Sequence, residues 1–284
     1  MKRIIVSAES TCDLPKELAK KHNIEIIPLH INLDGKNYRD GVDITPDLIF
    51  EKYEEKKVLP ITSAPNIADY LDVFKKYPKD EYEIIHFSLG RGISSSYQNA
   101  LLAASTLDNV HVIDSGNLSS GYAYLVLEAV DLINEGKNFQ QILDRIEDLR
   151  DKVSTSFVIE NLTFLKEGGR CTSLAAIGAN ILSIRPCIEV SSDNATMKVG
   201  KKYRGHMDHV LLKYAHERLK NLEDIDKKRI FITHSKLDGL DVSPVIDYVK
   251  NLNYFDDIII DQAGCSITTH CGANTLGLIF LKNN

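Results

Sequence analysis

The chain has 284 residues, of which 43% are hydrophobic and 26% charged, an ordinary balance for a globular protein of about two domains. This composition argues against a disordered chain, a collagen-like repeat and a coiled coil. The 34 Lys and Arg residues against 40 Asp and Glu give a net charge of −6, which repels nucleic acid and anionic membranes, so we expect no nucleic-acid partner.

The apolar runs are short. None approaches the roughly 18 residues that a membrane helix needs, so no stable membrane insertion is expected. The apolar stretch after the charged start Met1-Lys2-Arg3 is too short for a signal peptide, which predicts a cytoplasmic protein. The five cysteines lack zinc or redox spacing and are predicted to be reduced, mostly buried thiols; they are Cys12, Cys171, Cys187, Cys265 and Cys271.

In the first half, short apolar runs alternate with amphipathic stretches. In chain order they predict a strand at Arg3–Ser7, a helix capped by Asp13, a strand at Ile24–Leu33, a hairpin turn at Asp34-Gly35, helices at Thr45–Glu55 and Asn66–Tyr77, a strand at Tyr82–Ser88, a helix at Ser94–Leu107, a strand at Val110–Asp114, and helices at Leu118–Asn134 and Phe139–Arg150. Such alternation predicts a mostly parallel sheet with helices on its faces.

The pattern changes after about residue 152. It now predicts a strand at Thr155–Ile159, a short helix at Asn161–Lys166, a hairpin of Ile188–Val190 and Met197–Tyr203, a helix from Gly205 to Leu222, a strand at Arg229–Thr233, a helix at Val242–Leu252, strands at Asp257–Gln262 and Ile267–Thr269, and an apolar helix at Ala273–Leu281. We therefore expect an α/β protein of two domains, an N-terminal α/β domain at 1–152 and an α+β or two-layer domain at 153–284.

The segment from Ser88 to Ala100 is the richest in candidate chemistry. Gly90 and Gly92 permit unusual backbone angles, and Ser94, Ser95 and Ser96 precede a helix whose free N–H groups favour an anion. The spacing matches neither a nucleotide-binding loop nor a nucleophile elbow. The segment is therefore either a capped helix or a small anion site.

Other polar segments follow predicted strands. Glu9–Asp13, Ser88–Ser96 and Asp114-Ser115 each follow a predicted strand. Ligands bind at the carboxyl ends of strands in open α/β sheets, so these three segments are expected to converge on one edge. Thr62-Ser63 precedes a helix and is either a turn and cap or a pair of hydroxyls that joins Ser94 around one small polar head group. His270 lies between a predicted strand and an apolar helix, where it serves either as a structural residue or as a donor to a carboxylate.

A histidine cluster and two basic segments give weaker indications of function. His206, His209 and His216 share a predicted helix, but no carboxylate or Cys completes a familiar metal set, so solvent-facing histidines are favoured and no metal is expected. Gly168-Gly169-Arg170 and the hairpin with Lys202 and Arg204 supply positive charge. They are either a helix cap with a solvated hairpin or a docking patch for an acidic partner.

Together these segments resemble the DegV family of bacterial fatty-acid-binding proteins. The resemblance spans nearly the whole chain, with the matching pieces in the expected order; they are Ser7–Pro15, Ile61–Pro65, Ile93–Ala100, Val112–Ser115, Leu165–Arg170, Arg185-Pro186, Lys202–Arg204 and His270–Gly277. Three departures bear on the head-group geometry. Glu9 stands where the family usually has Asp, Ser95-Ser96 replaces Gly-Thr, and Cys271 replaces a small hydroxyl residue.

The resemblance implies a non-enzymatic carrier without a cofactor. It would hold one long-chain fatty acid, such as palmitate, between its two domains and present the carboxylate to a separate fatty acid kinase for phospholipid synthesis. The carboxylate-binding residues carry over as Thr62, Ser94 and His270, with Ser63 and Ser95 as additional head-group contacts. By the same resemblance, Arg170 and Arg204 meet the kinase.

Two enzymatic alternatives compete with the carrier. A serine hydrolase or acyltransferase would use Ser94 with His270, oriented by Asp114 or Glu9, and would need an oxyanion hole. A metal-dependent enzyme would use His206 and His209. The absence of the nucleophile-elbow spacing weighs against the hydrolase. In the carrier, burial of about fourteen methylenes at roughly 0.8 kcal/mol each gives a gross gain near 11 kcal/mol, so the tail dominates the affinity.

Overall fold

The structure is a computed structural model that describes residues 2–171 and 184–283. Its strands are β1 (Arg3–Glu9), β2 (Glu25–Ile27), β3 (His30–Leu33), β4 (Lys36–Arg39), β5 (Ile61–Ser63), β6 (Tyr82–Ser88), β7 (Val110–Asp114), β8 (Val153–Val158), β9 (Ile184–Val190), β10 (Met197–Arg204), β11 (Ile225–His234), β12 (Asp257–Gln262) and β13 (Leu276–Lys282). Its helices are α1 (Lys16–Lys21), α2 (Pro46–Lys56), α3 (Ile67–Phe74), α4 (Ser96–Ala104), α5 (Ser120–Asn134), α6 (Phe139–Arg150), α7 (Leu162–Gly168), α8 (Met207–Arg218), α9 (Ser243–Asn251) and α10 (Cys265–Cys271).

Four strands of the first half form a parallel sheet in the order β2-β1-β6-β7. β1 and β6 are the two central strands. The chain passes from β1 to the edge strand β2 on one side, and from β6 to the edge strand β7 on the other side. The carboxyl ends of β1 and β6 therefore flank the point where the strand order reverses. Open α/β sheets bind ligands in the crevice at this point.

The predicted strand at Ile24–Leu33 is wrong in one respect, because it is two strands in different sheets. β2 joins the parallel sheet, while β3 joins a three-stranded antiparallel sheet in the order β4-β3-β5. Pro28 lies at the break, where its missing N–H ends the ladder. The turn predicted at Asp34-Gly35 is confirmed: both residues have positive φ, and Leu33 pairs with Lys36 across it.

The second half forms a six-stranded mixed sheet in the order β10-β9-β8-β13-β11-β12. Only the β11–β12 pair is parallel, and the other neighbours are antiparallel. Together with the parallel sheet of the first half, this mixed sheet confirms the predicted α/β class with two domains.

The last predicted helix, Ala273–Leu281, is wrong: its apolar run forms β13 at the centre of the mixed sheet. Every residue of β13 except Lys282 is buried. A strand buried on both faces is apolar throughout, so it lacks the alternation that distinguishes a strand from a buried helix.

The predicted strand at Ile267–Thr269 is also wrong, because these residues lie in α10. Their β-branched side chains favour a strand, but tertiary contacts at the start of the helix override that propensity. The N-cap predicted at Asp13 is wrong as well. Asp13 has left-handed backbone geometry, and its carboxylate accepts hydrogen bonds from Ser119 Oγ (2.5 Å) and Gly264 N (2.8 Å) instead of capping α1.

Helix α5 is the shared core element. Its residues from Ser120 to Val130 are all buried, and the helix contacts β1 of the first sheet and β8, β11 and β13 of the second. A helix that is buried on all sides must have other elements packed against each of its faces. The two halves of the chain therefore share one continuous hydrophobic core.

The tip of the β9–β10 hairpin, residues 192–195, packs onto glycine loops of the first half. Gly92 N donates to Asn194 O (3.0 Å), and a Cβ on Gly116 would lie 2.0 Å from Ser192 O. The interpretation of Gly90 and Gly92 as sites of unusual backbone angles is wrong, since neither has positive φ. Their missing side chains instead make room for the hairpin: a Cβ on Gly90 would lie 2.2 Å from the Ala195 Cβ.

Candidate functional site

A cavity of about 310 Å³ lies beside the carboxyl ends of β1 and β6, at the reversal of strand order. Its walls come from both halves of the chain. The apolar part of the wall includes Leu29, Leu89, Leu118, Phe157, Leu165 and Ile279. This volume lies at the lower end of the ~300–1,000 Å³ typical of small-molecule sites.

The cavity brings together the three residues predicted to hold a carboxylate. Thr62, Ser94 and His270 all line it, and Thr62 Oγ1 lies 3.0 Å from His270 Nε2 although 208 residues separate them. The cavity reaches solvent at this end, because three exposed residues also line it: Ser63, Ser95 and Arg170. This end of the cavity is therefore its mouth.

Ser94 precedes α4, which begins two residues later than predicted. Its hydroxyl accepts a hydrogen bond from Ser96 N (3.1 Å) and lies 2.9 Å from Ser96 Oγ. This contact satisfies one of the free N–H groups in the first turn of the helix. The Ser94 side chain consequently has a fixed position at the edge of the cavity.

His270 presents a neutral imidazole to the mouth. Burial of the ring, together with the nearby charge of Arg170, lowers the pKa of His270 to about 4, so the ring is uncharged at pH 7. Its Nδ1 atom is buried without a hydrogen-bond partner in the described part of the chain. With its proton on Nε2, the ring donates toward Thr62 or toward a ligand in the cavity.

Gly168 makes room for the His270 ring. A Cβ at this position would lie 2.2 Å from His270 Nδ1. Sequence reasoning interpreted Gly168-Gly169 as a helix cap. That interpretation holds for Gly169, which ends α7 in left-handed geometry, but it missed the role of Gly168.

Asp40, which sequence reasoning did not single out, holds the helix that carries His270. Its carboxylate accepts hydrogen bonds from Cys265 N (3.0 Å), Ser266 N (3.2 Å) and Ser10 Oγ (2.9 Å), and Asp40 is only 3% exposed. A carboxylate at the start of a helix satisfies its free N–H groups. Asp40 thereby ties the loop after β4 to α10 across 225 positions.

The carboxylates proposed to orient His270 in a hydrolase bind other groups. Glu9 is fully buried and accepts hydrogen bonds from Tyr70 Oη (2.8 Å), Ser88 Oγ (2.9 Å) and Leu89 N (2.7 Å). Asp114 accepts from Arg91 N and Gly116 N at 3.1 Å and forms an ion pair with the Arg91 side chain. Over residues 2–171 and 184–283, no Ser94–His270–carboxylate relay is assembled.

The two arginines predicted to dock a kinase occupy different positions. Arg170 lies on the rim of the cavity and donates to Gly168 O (2.6 Å). Arg204 is exposed at the end of β10 and does not line the cavity. In the described part of the chain, Lys198 and Lys201 of the same hairpin form ion pairs with Glu189 and Glu217, whereas Arg204 forms none.

The histidines at the start of α8 and within it do not line this cavity. His206, His209 and His216 are exposed, as predicted, and His216 stacks on Tyr248 with ring centroids 4.0 Å apart. Across the described ranges, no three His, Cys, Asp or Glu side chains are grouped so that they could hold a metal ion. The helices described also include none that is both long and apolar enough to cross a membrane.

Comparisons with known proteins agree on one family. A family model described as "Uncharacterised protein, DegV family" matches residues 3–283. A DegV domain-containing protein of Clostridium acetobutylicum is 32% identical over 286 residues, covering 99% of each chain. Among solved structures, a fatty-acid-binding DegV family protein of Thermus thermophilus is 28% identical with a TM-score of 0.87, covering 99% of each chain. A stearic-acid-binding protein of Eubacterium ventriosum is 26% identical with a TM-score of 0.83, covering 99% of this chain and 98% of that one.

Proposed function

Because the chain belongs to the DegV family, we propose that it is a carrier that binds one long-chain fatty acid in this cavity. Its tail would lie among the apolar walls and its carboxylate at Thr62, Ser94 and His270. The observation that carries the proposal is the Thr62–His270 pair at the mouth of a largely apolar cavity. The relatives from Thermus thermophilus and Eubacterium ventriosum, which are described as fatty-acid-binding, support it.

The chemistry of the mouth suits a ligand that must later be handed over. Burial of a sixteen-carbon tail supplies a gross gain on the order of 11 kcal/mol, so the head group needs only orientation. Hydroxyl groups and a neutral imidazole satisfy the carboxylate oxygens without a buried ion pair. Ser63 and Ser95 on the rim supply further donors. The carboxylate would remain accessible from the open end.

In this proposal, the carrier presents the carboxylate to a separate fatty acid kinase and catalyses no step itself. The kinase would form an acyl phosphate with ATP, for use in phospholipid synthesis. That role places the carrier in the cytoplasm, where ATP is available. We further propose residues 1–152 and 153–284 as the two domains, with the fatty acid, such as palmitate, between them.

Purified protein is expected to carry about one fatty acid per chain, because an empty apolar cavity lacks the dispersion contacts that its walls would make with a tail. Native mass spectrometry before and after delipidation, followed by lipid extraction, measures the occupancy. Adding back fatty acid should raise the melting temperature of the delipidated protein, because a ligand that binds only the folded state stabilises it.

The same preparation separates the carrier from a hydrolase. Incubation with a long-chain acyl ester should leave the ester intact. Steady turnover that disappears in Ser94→Ala would establish the hydrolase instead. Identical mass and melting temperature with and without added fatty acid would refute the carrier.

Charge reversal at the two arginines is expected to have different effects. Arg204→Glu should slow acyl-phosphate formation with the kinase while changing fatty-acid affinity by less than about twofold, since exposed charges steer association more than they hold a small ligand. Arg170→Glu should also lower fatty-acid affinity, because it puts a negative charge on the cavity rim. The two measurements are calorimetric affinity and the initial rate of acyl-phosphate formation. Normal kinase rates with Arg204→Glu would contradict its docking role.

A further inference from the structure

One face of α10 forms part of the cavity wall. Ala263, just before the helix, and four residues within it line the cavity: Ser266, Ile267, His270 and Cys271. Counted from Ala263, they occupy positions i, i+3, i+4, i+7 and i+8, so they share one face of the helix. Ser266 and His270 are neighbours on that face, because their spacing is i, i+4. The side chain of Ser266 therefore faces the same space as the ring of His270.

The hydroxyl of Ser266 is buried without a partner. Its Oγ atom has no hydrogen-bond partner in the described part of the chain, and the residue is only 2% exposed. The backbone N–H of the same residue donates to Asp40 Oδ2 (3.2 Å), which fixes its place in the first turn of α10. A buried hydroxyl that makes no hydrogen bond is costly, so its place in the cavity wall calls for a ligand that pairs with it.

The head group has room for a further donor. Thr62 Oγ1 lies 3.0 Å from His270 Nε2, and Ser94 Oγ lies 2.9 Å from Ser96 Oγ, so these groups already have partners. A carboxylate offers about four acceptor positions, whereas the hydroxyls of Thr62 and Ser94 and one imidazole nitrogen supply at most one donor each. Ser266 can donate to the carboxylate without giving up an existing hydrogen bond.

Thr155 provides a comparison. Among the described residues, its Oγ1 is the other buried hydroxyl that lines the cavity without a partner. It lies on β8 beside α5, because a Cβ on Gly121 would lie 2.5 Å from it. Ser266, in contrast, lies on the same helix face as His270. Of these two hydroxyls, Ser266 is thus the one beside the predicted head group.

We propose that Ser266 binds the fatty-acid carboxylate beside His270, as a fourth donor at the head group. This proposal rests on the proposed function, because it requires a carboxylate at Thr62, Ser94 and His270. The Cα–Cβ bond of His270 is tilted toward the turn that carries Ser266, which brings the two side chains to one ligand.

The test compares Ser266→Ala with wild type by calorimetric titration of delipidated protein with hexadecanoic acid and with its methyl ester. Ser266→Ala is expected to weaken binding of the acid about tenfold, as the loss of one hydrogen bond to a charged group does. Binding of the ester, which presents no charge, should weaken by less than about threefold. Thr155→Val, the matched control, removes the other unpartnered hydroxyl and should affect acid and ester equally.

Thermal unfolding separates a binding role from a structural one. Without lipid, Ser266→Ala should be at least as stable as wild type, because it removes a buried hydroxyl that has no partner among the described residues. Added hexadecanoic acid should raise the melting temperature of Ser266→Ala less than that of wild type. Lower stability of the lipid-free variant, with an unchanged response to the acid, would show a structural role and overturn the proposal.

The remaining outcomes distinguish this proposal from the carrier function. If Ser266→Ala binds the acid as wild type does, or weakens acid and ester equally, the role of Ser266 is overturned while the carrier function stands. A selective loss for the acid in Thr155→Val, with none in Ser266→Ala, would place the carboxylate at β8 and also overturn it. Failure of wild type to bind hexadecanoic acid would overturn the carrier function itself.

Discussion

Fatty-acid binding is expected to weaken by about 3–6 kcal/mol when Thr62→Val, Ser94→Ala and His270→Ala are combined, since each lost donor costs roughly 1–2 kcal/mol. The methyl ester of the same acid should lose much less affinity, because it presents no charge to the mouth. Tail burial is unchanged, so the triple variant should still bind lipid measurably. Calorimetric titration of both ligands against wild type and variant gives the four affinities.

The comparison between acid and ester separates a head-group role from damage to the fold. Thr62 and Ser94 change with little loss of volume, while His270→Ala leaves a hole next to Gly168. Each single variant therefore accompanies the triple variant, and thermal unfolding checks that it is folded. Equal losses for the acid and the ester would remove the case for these residues as carboxylate ligands.

The Asp40→Asn variant is expected to lose about 3 kcal/mol of unfolding free energy. Its carboxylate is buried and accepts from two backbone N–H groups at the start of α10 and from Ser10. Hydrogen bonds to a charged group are worth about 1.5–3 kcal/mol each, and the new amide would turn an N–H group toward donors. Urea denaturation of the delipidated protein measures the change.

Asp47→Asn is the matched control for this variant. Its carboxylate is 78% exposed and forms a single ion pair of 3.6 Å with Lys236, and exposed pairs of this kind contribute about 0–1 kcal/mol. Fatty-acid affinity should also fall in folded Asp40→Asn, because α10 positions His270. Equal stability of the two variants would show that Asp40 does not anchor the helix.

Much of the first half was predictable from local pattern. The strands Tyr82–Ser88 and Val110–Asp114 and the helix Phe139–Arg150 have the predicted bounds, because turn residues and caps delimit each of them. The two elements predicted with the wrong type are α10 and β13, which are adjacent in the chain. There, β-branched residues occupy a helix and a uniformly apolar run forms a central strand, so neither propensity nor periodicity could decide.

The candidate site was predictable only in part. Convergence of polar segments on one edge follows from sheet topology and is seen at Ser94 and Thr11, which line the cavity. The assignment of Thr62 and His270 depended on family resemblance, since no local signal joins residues 208 positions apart. Asp40 and Gly168 gave no signal because their roles arise from contacts with α10, which local sequence does not encode.

The close packing of Gly90, Gly92 and Gly116 against the β9–β10 hairpin limits which substitutions and which chimeras of this chain can fold. Residues 192–195 approach Gly90, Gly92 and Gly116 so closely that side chains on these glycines would overlap the hairpin. A side chain at any of these three glycines is tolerated only if the hairpin tip moves away, because two of the three contacts are with the hairpin backbone. The hairpin tip and the three glycines must therefore match each other. A chimera built from two relatives should take both segments from the same relative.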